Sequence, residues 1–241
     1  MAVSRKKLGD NLQRVRDRIA AAAEKVGRDP ANVALVAVTK AAEPDDIKAL
    51  IDLGVSDLGE NRVQQLVARS EAVAAWLARR RKEVPAPPRW HMIGHLQRNK
   101  VRPALAAAGV IHSVDSLRLA EEIDRRAEQA GMVADVLLQV NCSEESQKFG
   151  VAVGASTHLG EQMCTLGHVR LLGLMTMAPF CRDGEKVRPV FVRLREIFEE
   201  MRGEKIGGKD FRHLSMGMTQ DYSVAVEEGA TIVRIGTALF Q

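Results

Sequence analysis

The sequence predicts an α/β protein that folds as a single (β/α)8 TIM barrel preceded by an extra N-terminal helix. Eight short apolar segments alternate with amphipathic ones along the chain, which is the element order of such a barrel. No internal repeat and no linker divides the sequence, so residues 1–241 are expected to form one domain. The alternative, an open doubly wound sheet, favours a glycine-rich turn after the first strand, and the stretch Lys40-Ala-Ala-Glu-Pro44 contains no glycine.

The individual elements follow from apolar periodicity and from their stop signals. The first helix carries apolar residues from Leu8 to Val26 at spacings of three and four, and Gly27 ends it. Strands are predicted at 33–39, 55–59, 90–94, 110–114, 133–141, 169–177, 213–216 and 232–236. Helices are predicted after the first seven strands, at 44–53, 60–81, 97–108, 116–130, 156–166, 187–202 and 219–228, with Pro103 making one of them irregular. The chain ends soon after the eighth strand, so a following helix is expected to be missing and the N-terminal helix to cover the gap.

Composition narrows the class of function. The formal charge is only +4 and aromatic residues make up 4%, with no aromatic platform or groove-reading element, so nucleic-acid binding is not expected. The three cysteines form no CxxC pair, which predicts neither a disulfide framework nor a metal site and suits a reducing cytoplasm. No signal peptide and no apolar run of membrane-spanning length is seen, so no membrane association is expected.

A lysine stands at the C-terminal end of the first strand. The apolar run Val33-Ala-Leu-Val-Ala-Val-Thr39 leads directly into Lys40, where ligands of parallel sheets bind. An amine held in apolar surroundings loses its proton more readily, and the neutral amine attacks carbonyls to form Schiff bases. The alternative is an ordinary lysine that extends from a strand end into solvent.

Two stretches at the same end of the predicted barrel suit a phosphate group. Ser215-Met-Gly-Met-Thr219 passes from the seventh strand into a helix start, and Gly236-Thr237 follows the eighth strand. Small residues admit backbone N–H donors, hydroxyls add further donors, and barrels commonly bind phosphate after these two strands. The alternatives are a plain turn before a capped helix and a tight barrel rim.

A lysine and a phosphate site on one face together suggest pyridoxal 5′-phosphate. Lys40 would hold its aldehyde as a Schiff base, and Arg234, two residues before Gly236, would lie on the same side of the strand and face the pyridine nitrogen. A permanent cation there would keep that nitrogen unprotonated and weaken the cofactor as an electron sink. The alternative for Arg234 is a structural ion pair on the barrel rim.

Other polar residues receive weaker expectations. His95 is the one histidine expected at the functional face, and Lys148 is the second candidate for an attacking lysine, although a solvated loop lysine is the simpler reading. His91 and His112 lie inside strands and are expected to be satisfied core or rim histidines. Tyr222 is expected to have a packing or surface role.

Several motifs together resemble the pyridoxal phosphate homeostasis protein family, also called the YggS/PROSC family. The motifs run in order from the first strand to the C-terminus: LVAVTK at 35–40, GENRVQ at 59–64, WHMIGHLQRNK at 90–100, HSVDS at 112–116, GLMTMAPF at 173–180, HLSMGMTQD at 213–221 and VRIGTALF at 233–240. The resemblance implies a fold-type III barrel like the N-terminal barrel of alanine racemase, usually monomeric, that carries or buffers pyridoxal 5′-phosphate without an established reaction. Enzymes lacking their cofactor would be the recipients.

The resemblance also implies roles for particular residues. It places the cofactor lysine at Lys40, an asparagine near the ring at Asn61, and the arginine near the ring nitrogen at Arg234. It implies a phosphate cradle built from Ser215, Met216, Gly236 and Thr237. The chain departs from the commoner family pattern at His95, Arg98 and the pair Thr219-Gln220, which leaves the partners of those loops open.

Two other functions remain as alternatives at this stage. A fold-type III amino-acid racemase or decarboxylase would need a second base, which in barrel racemases comes from a β domain or a partner subunit, and the sequence offers no residues for such a domain. A Schiff-base aldolase would use Lys40 without any cofactor. The sequence therefore predicts a cofactor-binding protein with little or no turnover and no catalytic residues.

Overall fold

A computed structural model describes residues 3–80, 86–145 and 147–241 and has the predicted barrel architecture. Eight parallel strands pair in sequence order and close into a barrel through the pairing of the first strand with the eighth. The strands are β1 (Ala34–Val38), β2 (Asp57–Glu60), β3 (Arg89–Met92), β4 (Val110–Val114), β5 (Ala134–Gln139), β6 (Val169–Met175), β7 (His213–Ser215) and β8 (Ile232–Ile235). Each predicted strand is confirmed to within two residues at each end.

The helices cover the outside of the barrel. They are α1 (Arg5–Lys25), α2 (Pro44–Asp52), α3 (Val63–Ala78), α4 (Val101–Ala107), α5 (Leu117–Gln129), α6 (Ser156–Cys164), α7 (Arg188–Gly203), α8 (Tyr222–Glu227) and α9 (Thr237–Phe240). A 3-10 turn at Arg98–Lys100 precedes α4, which explains why the predicted helix at 97–108 begins irregularly. α3 ends at Ala78, earlier than predicted, and Arg81, where the predicted helix ended, lies outside the described residues.

Three helix predictions need correction. The helix predicted from Glu60 begins at Val63, because Glu60 is the last residue of β2. The helix predicted from Thr219 begins three residues later, because the Asp221 carboxylate accepts a hydrogen bond from the Met218 N–H (2.6 Å) and holds the preceding residues as a turn. A one-turn helix, α9, also follows β8, where no helix was expected. The N-terminal helix still covers this part of the barrel: Asn11 of α1 is buried and its side-chain amide donates to the carbonyls of Leu239 (3.0 Å) and Gln241 (2.8 Å).

Apolar side chains pack in two layers, one on each side of the sheet. The larger layer fills the space between the strands and the helices. The smaller one lies inside the barrel and consists of Val36, Val110, Leu137, Leu172, Met175 and Ile232. Neighbouring residues of a strand face opposite sides of the sheet. A strand residue that comes next to one in the outer layer therefore faces the inside of the barrel. Several of these are polar and fully or nearly fully buried: His91, His112, Ser215 and Arg234.

The buried histidines confirm the expectation for His91 and His112 and make folding stability depend on pH. Burial lowers the pKa of His112 well below its usual value, and the positive potential of His91, Arg234, His213 and Arg89 lowers it further. A histidine that stays neutral in the folded protein but binds a proton when unfolded stabilises the fold fully above its unfolded pKa of about 6.5, and this contribution is lost as the pH falls below that value.

We therefore predict that the free energy of unfolding falls as the pH is lowered from 7 to 5. The expected slope below about pH 6.5 is about 1.4 kcal/mol per pH unit for a histidine held neutral, and urea unfolding at several pH values measures it. His112→Gln should flatten the slope, whereas His158→Gln, which changes an exposed histidine, should leave it unchanged. A slope that is the same in wild type and His112→Gln would contradict this account.

Candidate functional site

A cavity of about 540 Å³ opens at the end of the barrel where the strands finish. Its size suits a small-molecule ligand. Its lining includes nine polar or charged residues: Lys40, Asn61, Arg62, His95, Gln139, Thr219, Gln220, Arg234 and Thr237. We call this space the mouth cavity. A second cavity of about 560 Å³ lies at the opposite end, between α1 and the starts of β1 and β2, and contains none of the predicted site residues.

Lys40 lies on the loop that follows β1 and reaches the mouth cavity. The strand ends at Val38, two residues earlier than the lysine, and the Lys40 side chain is exposed. The expectation of an amine held in apolar surroundings is therefore not met in this structure. What the structure provides instead is an accessible amine on a loop with a fixed backbone.

The backbone of this loop is fixed by an ion pair outside the barrel. Arg69 of α3 donates to the carbonyls of Thr39 and Ala42 (3.0 Å to the latter) and pairs with the buried carboxylate of Glu60. The hydroxyl of Thr39 donates to the same carboxylate. Hydrogen bonds to charged groups of this kind are about twice as strong as neutral ones. Arg69 and Glu60 therefore hold the two sides of the turn that carries Lys40.

Sequence reasoning missed Arg69 and Glu60 as a clamp. A signal was present, because Glu60 ends a buried strand and a buried carboxylate requires a cation. The sequence did not identify which of the arginines on the following helix supplies it.

Asn61 follows Glu60 and also reaches the mouth cavity. Its main chain runs directly against Gly94, where a Cβ atom would collide with the Asn61 carbonyl. Glycine at position 94 thus allows the loops after β2 and β3 to touch. This close approach places Asn61 and His95 on one wall of the cavity.

Arg234 is the most buried charge that the mouth cavity contains. Its guanidinium donates to the hydroxyl of Ser215 (2.6 Å) and to the carbonyl of Thr176 (2.9 Å). Burial lowers its pKa to about 10, an effect that the charge of Asp221 opposes, so the group remains protonated at neutral pH. Both of these hydrogen-bond partners are neutral groups. Within the described residues, Arg234 therefore does not form the structural ion pair on the barrel rim that was the alternative.

The loops after β7 and β8 meet beside Arg234. The hydroxyl of Thr219 accepts from the N–H of Ala238 (3.4 Å), and Thr219, Gly236 and Thr237 all line the cavity. Gly217 adopts a φ of +97° and packs against α8, a conformation that glycine allows. The two stretches predicted to suit a phosphate are therefore next to each other.

Ser215 and Met216 do not line the mouth cavity. Both are fully buried, and the Ser215 hydroxyl is already hydrogen-bonded to Arg234 and to Nδ1 of His112 (2.9 Å). Met216 packs in the layer between the barrel and the helices. Of the seven residues predicted to contact the cofactor, the structure brings together Lys40, Asn61, Arg234, Gly236 and Thr237.

The rim of the cavity is apolar. His95 stacks on Phe149 with 4.0 Å between the ring centres and lies 3.5 Å from the carboxylate of Asp115. Phe149, Met177 and Phe180 line the cavity and are exposed. Lys148 instead pairs with Glu145 (3.0 Å) and is not part of the lining.

Comparison with known proteins places the chain in a family. Residues 11–241 match the model of the alanine racemase N-terminal domain. The chain is 41% identical over 231 residues to a protein from Aquifex aeolicus named pyridoxal phosphate homeostasis protein, and the match covers 96% of each chain. The chain belongs to the pyridoxal phosphate homeostasis protein family. The resemblance found in the motifs is thereby confirmed.

Two solved structures of similar chain length superpose on this barrel over almost the whole chain. A crystal structure of an unknown protein from Bifidobacterium adolescentis has a TM-score of 0.91 and 40% identity, covering 100% of this chain and 97% of that one. PipY of Synechococcus elongatus PCC7942, solved with pyridoxal phosphate bound, has a TM-score of 0.78 and 31% identity, covering 94% of this chain and 100% of that one.

The clamp on the Lys40 loop leads to a prediction. Arg69→Met removes the donors to the carbonyls of Thr39 and Ala42, so amide hydrogen exchange at residues 39–42 should accelerate by about tenfold or more, as expected for the loss of charged hydrogen bonds. Mass spectrometry of exchanged peptides measures this rate. Arg79→Met, which changes an exposed arginine at the end of the same helix, is the matched control. Equal exchange in Arg69→Met and wild type would refute the clamp.

Proposed function

We propose that this protein binds pyridoxal 5′-phosphate in the mouth cavity, holds it on Lys40, and serves the homeostasis of that cofactor and of the amino acids and keto acids that depend on it. The observation that carries the proposal is the composition of one cavity. It combines an accessible amine, a buried guanidinium and the hydroxyl-bearing loops after β7 and β8. The family membership and the bound pyridoxal phosphate in PipY support the same ligand.

The donor set fits the parts of this cofactor. Pyridoxal 5′-phosphate supplies an aldehyde that condenses with amines and a ring that draws electrons from a bound amino acid. Lys40 is the amine proposed to hold the aldehyde. The hydroxyls of Thr219 and Thr237 and the small Gly236 form the proposed phosphate end, and Ser215 and Met216 act behind this surface rather than in it.

Arg234 and Asn61 are proposed to face the ring. A guanidinium does not give up its proton near neutral pH, so Arg234 would donate to the ring nitrogen and leave that nitrogen unprotonated. An unprotonated ring withdraws electrons weakly. This arrangement suits retention of the cofactor better than carbanion chemistry.

We further propose that the protein is a carrier or regulator with little or no catalytic turnover. Racemisation needs a base on each side of the substrate. The single tyrosine of the chain, Tyr222, is buried in α8 and is not part of the cavity lining, which agrees with its expected packing role. Within the described residues, Lys40 is the one amine that lines the cavity.

The proposed setting is a cytoplasmic monomer that supplies enzymes lacking their cofactor. Cys142, Cys164 and Cys181 are free thiols, and thiols stay reduced in a reducing compartment. No helix in the described ranges has the length and apolar character required to cross a bilayer.

The lysine assignment is tested by absorbance. Wild-type protein incubated with pyridoxal 5′-phosphate and then freed of unbound cofactor should show a near-visible band that borohydride removes, and Lys40→Ala should lack it because no other amine lines the described cavity. Lys148→Ala, which changes a nearby loop lysine outside the cavity, should keep the band. Absence of the band in wild type would refute the proposed function and leave the cofactor-free aldolase as the remaining alternative. A full band in Lys40→Ala would refute the lysine assignment.

The absence of turnover has its own test. The loaded protein is expected to exchange the α-proton of alanine in deuterated water far more slowly than about 1 s⁻¹, the low end of ordinary enzyme rates. Proton NMR follows the exchange, with Lys40→Ala as the background. Exchange at about 1 s⁻¹ or faster in wild type alone would instead favour the racemase alternative, because racemisation breaks the bond to the α-proton.

A further inference from the structure

A continuous row of buried polar groups crosses the inside of the barrel behind Arg234. Ser215 Oγ lies 2.6 Å from Nη1 of Arg234 and 2.9 Å from Nδ1 of His112. Nε2 of His112 lies 2.8 Å from Nδ1 of His91, whose Nε2 lies 2.9 Å from Oδ1 of Asp57. We call these five residues the polar column.

The polar column joins the two ends of the barrel. Arg234 lines the mouth cavity, whereas Asp57 is the first residue of β2 and lines the cavity at the opposite end. The links between them come from β7, β4 and β3. The histidines are almost fully buried, and the Asp57 side chain is 22% exposed. The carboxylate is therefore the end of the column closest to solvent on that side.

The direction of every hydrogen bond in the column follows from the arginine. A guanidinium only donates, so Ser215 Oγ accepts from Arg234 and must place its own hydrogen elsewhere. Among the described contacts, the acceptor available for that hydrogen is Nδ1 of His112. His112 therefore carries its hydrogen on Nε2 and donates it to Nδ1 of His91. His91 in turn carries its hydrogen on Nε2 and donates it to Asp57.

The opposite direction leaves groups unsatisfied. If Nδ1 of His112 donated to Ser215, the serine hydrogen would have no described acceptor inside the barrel. A neutral His91 would then donate from Nδ1 and turn an unprotonated Nε2 toward the carboxylate of Asp57. Buried polar groups without partners are costly, so the direction from Arg234 to Asp57 is the stable one.

The charges around the column agree with this direction. Burial raises the pKa of Asp57, but the hydrogen bonds from His91 and Ser56 and the positive charges of His91 and Arg89 outweigh it, so the net pKa is below the ordinary value. Burial is also the first cause of the lowered pKa of His112, which keeps that ring neutral. A cation at one end and an anion at the other thus orient the hydrogen bonds of the groups between them.

We propose that Asp57, His91 and His112 are positioning residues for Ser215 and Arg234, and that the carboxylate at the far end of the barrel fixes the hydrogen-bonding state that Arg234 presents to the mouth cavity. The effect on the cofactor ring rests on the proposed function. The positions of the hydrogens along the polar column do not depend on the proposed function. The proposed function and the polar column can therefore be refuted independently.

The column is tested first in protein without added cofactor. In the full chain labelled with 15N-histidine, NMR should show His91 and His112 as Nε2–H tautomers. Asp57→Asn removes the anion and offers an amide donor to His91, so a population of His112 with its hydrogen on Nδ1 should appear. Asp57→Glu should restore the wild-type spectrum. Asp135→Asn, which changes a carboxylate at the same end that pairs with Arg89 and Arg170, is the matched control and should not alter the tautomers.

Two results would overturn the proposal at this stage. One is a His112 with its hydrogen on Nδ1 in the wild type, a measurement that needs no variant to fold. The other is a folded Asp57→Asn protein whose histidine tautomers are those of the wild type.

The effect on the ring is tested by titrating the absorbance band of the loaded protein. Asp57→Asn should shift the pH midpoint of the band by about half a unit or more, as expected when a charge coupled to the ring environment is lost, and Asp135→Asn should shift it less. An unchanged midpoint in Asp57→Asn would overturn the proposed coupling. Absence of any band in wild type would refute the proposed function. In that case the histidine tautomers would still test the polar column.

Discussion

The buried guanidinium of Arg234 is the group on which the interior of the barrel depends. Taking a permanent charge out of water is costly unless hydrogen-bond acceptors surround it. The Ser215 hydroxyl and the Thr176 carbonyl supply two acceptors, and the charge of Asp221 favours the protonated form. A barrel filled only with aliphatic side chains could not hold this cation. The polar residues of β3, β4 and β7 are therefore a consequence of placing an arginine at this depth.

Barrel closure brings the two most important site residues to the same wall. Val36 of β1 pairs with Arg234 of β8, so the chain that leads to Lys40 runs beside the chain that leads to Gly236. The arginine is held rigidly from inside the barrel, whereas the backbone near Lys40 is held from outside by Arg69 and Glu60. A rigid cation and an accessible amine on a fixed turn form a pair suited to holding a small molecule between them.

The sequence predicted those parts of the site that depend on strand order and alternation. Lys40 and Thr237 follow buried strands, and Arg234 shares a strand side with Gly236, so their common location could be inferred before any contact was known. The contacts that depend on register and side-chain reach could not. His91 and His112 were correctly expected to be satisfied histidines, but their link to each other and to Asp57 requires the pairing of three strands. The exposure of Lys40 and the burial of Ser215 likewise depend on where the strands end, which periodicity defines only to within two residues.

The most direct test of the central claim is the identity of the residue that becomes covalently modified. Wild-type protein loaded with pyridoxal 5′-phosphate is reduced with borohydride, digested and examined by tandem mass spectrometry. The account predicts one phosphopyridoxyl group, on Lys40. A modification confined to Lys148 or spread over surface lysines, with Lys40 unmodified, would contradict it.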